Sequence, residues 1–112
     1  MSDPRKSDLD ELRKVCPGAE AIAEGGFGYI YLPRLRLPVG CQPAEVEGLL
    51  RPGPGPDGYT TRLFLSSAFP AKGSNWTVHQ ILDKQWHTFS YNNVPSDLRL
   101  IEILANHLGV LR

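Results

Sequence analysis

The sequence is short of cysteine, of net charge and of long apolar runs, and each shortage removes a class of protein. Two cysteines, Cys16 and Cys41, stand far apart in 112 residues. That is too few for a disulfide framework, so free thiols in a reducing compartment are expected. Basic and acidic side chains balance at 12 each. Nucleic-acid proteins draw affinity from an excess of cations over phosphate, so no nucleic-acid partner is expected, although Arg34 and Arg36 lie close together. No apolar stretch comes near the roughly 20 residues that cross a bilayer. The opening segment MSDPRKSDLDELRK is polar and carries no apolar signal core. A cytoplasmic protein with no membrane partner is the expectation.

Metal-ligand spacing is missing as well. The three histidines and two cysteines are scattered, with no pair at zinc-finger spacing. Gly25-Gly26-Phe27-Gly28 lies between two candidate strands, with no following helix and no Lys-Ser/Thr pair, so it is no phosphate loop. No metal and no cofactor are expected. Nothing in the sequence fixes an oligomeric state.

What is present suits one domain over residues 1–112. With 41% hydrophobic residues, a chain of this length can bury a core without disulfides or a metal. Leu9, Leu12 and Cys16 fall at helical spacing, which predicts a helix over 5–16, stopped by Pro17-Gly18. Four strands follow. AEAIAE is the first. The glycines of EGGFG supply a turn. GYIYLPRLRLP is the second, bent or at an edge because Pro33 and Pro38 remove ladder donors. AEVEGLLR is the third. After the loop PGPGPDG, TTRLFLSS is the fourth, with Leu63 and Leu65 on one face.

Residues 68–94 read as irregular, apart from one turn of helix near Thr88. Trp76, Ile81, Leu82, Trp86 and Phe89 make that stretch too apolar for disorder, so it is expected to pack. A helix closes the chain. Leu98, Ile101, Leu104 and Leu108 form its stripe, Pro95 or Ser96 opens it, and Gly109 sits where a left-handed C-terminal residue belongs. The expected class is α+β: helix, four-strand antiparallel meander, long packed flap, helix, with the helices on one face of the sheet.

Within the flap, residues 78–86 read Val-His-Gln-Ile-Leu-Asp-Lys-Gln-Trp. This order of elements and this segment resemble the ubiquitin-conjugating (UBC) fold, and in particular its divergent bacterial members. In that family a catalytic cysteine precedes a pattern of the kind Leu-x-Ile-Leu-x-x-x-Trp. Ile81, Leu82 and Trp86 match its spacing, and Val78 stands at the cysteine position. The family's His-Pro-Asn motif is absent, with SAFPAKGSN in its place. The resemblance implies a protein of a bacterial ubiquitin-like modifier pathway that receives the modifier's C-terminus from an activating enzyme. It further implies contact with that enzyme through the N-terminal helix, and a modifier tail lying along residues 74–87, against Asn75, Trp76, Val78, Asp83 and His87.

A valine cannot carry an acyl group, so a substitute nucleophile is needed if the chain is a transferase. Thr77, Ser74 and Ser67 are candidate hydroxyls, with Ser66 and Ser90 nearby. A hydroxyl is a weak nucleophile at neutral pH and needs a base, for which His79 and His87 are available. Such a pair would form an oxyester in place of the usual thioester. Asn75 is a candidate oxyanion donor or a turn former. Cys41 and Cys16 are expected to be packed thiols. Trp86 is expected in the core, and Trp76 is open between core and interface. The competing expectation is a UBC variant without catalysis, a module that binds a ubiquitin-like protein or a partner enzyme.

Overall fold

The computed structural model describes residues 6–72, 75–92 and 94–112. Helix α1 (Lys6–Val15) is followed by strands β1 (Glu20–Glu24), β2 (Phe27–Arg36), β3 (Glu45–Arg51) and β4 (Arg62–Leu65). Then come β5 (Thr77–Ile81), β6 (Lys84–Thr88) and helix α2 (Leu100–Gly109). All strand pairings are antiparallel, in the order β1-β2-β3-β4-β6-β5.

The expected α+β class and the four-strand meander are present, but the sheet has six strands rather than four. The stretch expected to be irregular holds a hairpin, and β6 covers the position where one turn of helix was expected at Thr88. Its two-residue turn puts Leu82 at φ 56° and Asp83 at φ 58°. Left-handed geometry at both positions matches the right-handed twist of the flanking strands. The β1–β2 hairpin makes the same kind of turn with Gly25 (φ 60°) and Gly26 (φ 83°), where it carries no steric cost.

β2 is bent, as its prolines suggest, but it is not an edge strand. It lies between β1 and β3, and the register shifts between Leu32 and Leu35, around Pro33. The sheet gives way with a bulge where the chain has no N–H to offer. Helix α2 begins at Leu100 with Arg99 as N-cap, later than Pro95 or Ser96. Glu102 accepts the Arg99 backbone N–H at 3.2 Å and so closes the first turn. Gly109 does not take a left-handed conformation; it is the last helical residue, and Val110 continues at φ −68°. The buried stripe of α2 is Leu100, Ile103, Leu104 and His107.

Both helices cover one face of the sheet. Leu12, Cys16, Leu100 and Ile103 meet Ile30, Leu32, Leu50, Leu63 and Leu65 there. The other face carries a second, smaller core of Tyr29, Leu49, Phe64, Ile81 and Trp86. The sheet curls over this second core. The Leu82 N–H, in the β5–β6 turn, donates to the Glu24 carboxylate at 2.5 Å, so opposite margins of the sheet meet at one corner. Lys84 on β6, Glu47 on β3 and Tyr31 on β2 join across the same concave face.

Candidate functional site

Alternation along β5 decides what faces what. Thr77, His79 and Ile81 oppose Thr88, Trp86 and Lys84 across the pair, which puts all six on the concave face. Val78 and Gln80 lie on the reverse side, opposite His87 and Gln85. Val78 is 56% exposed. The candidate residues therefore divide between two sides of one strand.

Thr77 and His79 are brought together. Thr77 Oγ1 lies 2.9 Å from His79 Nε2. Desolvation by burial lowers the His79 pKa, and Arg62 and Arg51 lower it further against an opposing pull from Asp57. The imidazole is thus neutral at pH 7, and with its proton on Nδ1 it accepts from the Thr77 hydroxyl at Nε2. Its ring stands edge-on to Phe64 at 5.6 Å between centroids.

Other candidates lie apart from this pair. Ser67 follows β4 and makes no hydrogen bond to either histidine among the described residues. Ser66 is engaged with the Glu47 backbone, accepting its N–H at 3.1 Å. Ser74 lies outside the described residues. Asn75 holds a left-handed turn (φ 53°) just before β5, and Asp83 sits at the hairpin tip. Trp76 packs between Phe69 and Phe89 and donates from Nε1 to the Lys72 carbonyl at 2.7 Å, which makes it a structural residue. Trp86 is core, 2% exposed, and its Nε1–H donates to the Ile81 carbonyl at 3.1 Å. Cys16 and Cys41 are buried thiols. Burial raises the pKa of Cys16, and Cys41 sits 3.6 Å from the Leu111 carbonyl.

Beside His79 the concave face opens into a slot of about 450 Å³ between β5 and the β1–β2 hairpin. Phe27, Tyr29, Phe64 and Ile81 supply apolar walls, and Glu24, Arg51 and Asp57 also line it. A larger groove of about 560 Å³ lies elsewhere, between Val39 and the end of α2, and no candidate residue lines it.

At the end of the slot is a charge cluster that the sequence reading did not identify. Arg51 forks onto Asp57 at 2.9 and 3.0 Å, and Arg62 reaches the same carboxylate at 2.7 Å. The loop PGPGPDG wraps the guanidinium of Arg51. It accepts from Arg51 Nε at Gly53 O (2.9 Å), and the Tyr59 carbonyl, just beyond it, accepts from Nη2 at the same distance. A Cβ at Gly55 would overlap the Arg51 guanidinium, so the close approach needs glycine there. Burial pushes the Asp57 carboxyl up, but the hydrogen bonds from Arg51, Arg62 and the Tyr59 N–H outweigh it and hold the group well below the carboxylate range. The sequence signal was one aspartate in a proline-glycine loop between Arg51, which ends β3, and Arg62, which opens β4.

Among the described residues no group of three or more His, Cys, Asp or Glu is placed to hold a metal ion. No described helix is long and apolar enough to cross a membrane. Comparison with protein-family models, curated proteins and solved structures finds no match.

Proposed function

We propose that the chain is a UBC-like protein of a bacterial ubiquitin-like modifier pathway, taking the modifier's C-terminal acyl group from an activating enzyme as an oxyester on Thr77. The observation that carries this reading is the 2.9 Å contact between Thr77 Oγ1 and His79 Nε2. The helix, the meander and the Ile81-Leu82-x-x-x-Trp86 segment support it. Ile81 and Trp86 share one small core and a hydrogen bond, so that spacing has a structural use. In the transfer the Thr77 Oγ–acyl bond forms and the C–S bond to the activating enzyme's thiol breaks. The hydroxyl proton passes to His79 Nε2 and then to the departing thiolate. The modifier tail lies along β5–β6, and α1 meets the activating enzyme.

A second reading is a UBC variant that binds a ubiquitin-like protein or partner enzyme without catalysis. One observation favours it: among the described residues nothing hydrogen-bonds to His79 Nδ1, so no third group fixes the base.

Incubation with the cognate activating enzyme, modifier and ATP separates the two readings. The transfer reading expects an adduct that survives thiol, is cleaved by hydroxylamine, and disappears in Thr77→Ala. Its initial rate of formation falls roughly 10²-fold or more in His79→Gln. Modifier binding with no adduct at any pH leaves only the module.

A further inference from the structure

We infer that the outer edge of β5 takes up an extended segment of another polypeptide as a seventh strand, with an apolar side chain of that segment seated in the slot beside His79. The inference rests on the reading above only where it names the occupant, the modifier's C-terminal tail. The strand edge itself is a property of the hairpin.

The hairpin geometry fixes which backbone groups are free. In a two-residue hairpin the pair flanking the turn, here Ile81 and Lys84, is hydrogen-bonded, and bonded pairs then alternate. His79 and Thr77 therefore direct their N–H and C=O groups toward β6. Val78 and Gln80 direct theirs outward, and β5 has no neighbour on that side among the described residues. Natural sheets guard such edges with charge, proline, bulges or a cover. The opposite edge strand, β1, carries Glu20 and Glu24. The sequence of β5, Thr-Val-His-Gln-Ile, has no charged residue at neutral pH, no proline and no bulge.

The slot decides what kind of segment fits. A strand added beside β5 alternates its side chains, and every second one falls on the concave face, where Phe27, Tyr29, Phe64 and Ile81 wait. The nearby carboxylates are already engaged. Glu24 accepts from the Leu82 N–H, and Asp57 holds two arginines. The walls thus favour an uncharged, apolar side chain. A second copy of this chain is a poor occupant. Five residues of edge make a contact far below the roughly 1,600 Å² typical of stable interfaces, whereas a single extended segment gains main-chain bonds and a pocket together.

The test uses random octapeptides displayed on phage and selected on the full chain, with the winners resynthesised. Strand addition expects a recurrent apolar position. It also expects a period of two when backbone amides of a winning peptide are N-methylated singly: alternate positions lose at least tenfold in affinity and the intervening ones do not. On the protein side, Gln80→Pro removes an outward N–H that the fold does not use. Its hairpin should stay intact by circular dichroism, and peptide affinity should fall at least tenfold. No selected peptide, no alternation, or unchanged affinity in a folded Gln80→Pro each overturns the inference. An oxyester formed undiminished on Gln80→Pro overturns strand addition by the tail and leaves acyl transfer standing. Alternating peptide binding with no oxyester under any condition sustains strand addition and overturns transfer alone.

Discussion

Two side chains show how far local surroundings set chemistry here. Among the described residues Asp57 is the one carboxylate paired with both Arg51 and Arg62, residues only 2% and 5% exposed. Asp57→Asn keeps the shape and removes the charge, leaving two buried cations facing each other. Its expected cost is roughly 3 kcal/mol, read as a lower midpoint in urea denaturation. His107, 1% exposed, is the other case. The Thr61 hydroxyl donates to the Val94 carbonyl at 2.9 Å, so it is left to accept from His107 Nε2–H, also at 2.9 Å. Burial, reinforced by Arg51 and Arg62, brings the His107 pKa down to about 4. Below its unfolded value near 6.5 the unfolded chain takes up a proton that the folded chain refuses. Stability is therefore fully present above pH 6.5 and drains away as pH falls toward 4. Between pH 7.5 and 5 the expected loss is about 2 kcal/mol. His79, also lowered, adds to the same window. Comparing wild type with His107→Gln by urea denaturation at both pH values isolates the His107 part, and equal pH slopes would refute it.

At the scale of elements, the β5–β6 hairpin stands out because its turn residues are the wrong ones for the turn. A two-residue turn with both φ angles positive favours Asn-Gly; this one uses Leu82-Asp83. That is why the hairpin was not legible in the sequence. Glycine and proline punctuated the four meander strands and α1, and their alternation could be counted. Between Ile81 and Lys84 there is no such mark, and the adjacent Ile-Leu pair obscures the period of two. The concave-face assignment of Trp86 was illegible for the same reason, although its burial was expected. In α2 the stripe was misplaced because His107 fills the fourth position of Leu100, Ile103, Leu104 and His107, a series spaced like a buried helix face but ending in a polar residue. The Thr77–His79 contact was half legible: the residue types were clear, but only the strand's period of two puts them on one face. Strain in the turn predicts a gain. Asp83 is exposed and left-handed, so Asp83→Gly should raise stability by about 0.5–1 kcal/mol and the melting temperature by a few degrees. An unchanged or lower melting temperature would show that the turn carries no such strain.

For the whole molecule the arrangement of the two cores matters most. The larger core lies between the helices and the meander; the smaller one is sealed by the hairpin. The hairpin joins the meander through only two register pairs, Phe64 with Thr88 and Leu65 with His87, while β2 and β3 pair along most of their length. Its further attachments among the described residues include the Trp86 and Ile81 side chains, the His79–Phe64 ring contact, the Thr88 hydroxyl donating to the Leu63 carbonyl at 2.7 Å, the Lys84–Glu47 ion pair and the Leu82–Glu24 bond. Such a unit should open at a lower free energy than the protein unfolds, taking the Thr77–His79 pair and the β5 edge with it. Hydrogen exchange should then divide the amides into two classes, with the inward amides of β5 and β6 less protected than those of Ile30, Leu32 and Leu50. Trp86→Ala removes the largest side chain of the smaller core, a change that costs roughly 3–5 kcal/mol in a well-packed site. If the hairpin is a separate cooperative unit, this variant should abolish protection in β5 and β6 and leave the meander's amides protected. Uniform loss across the sheet would mean that one core, not two, holds the molecule together, and that the candidate site cannot open without global unfolding.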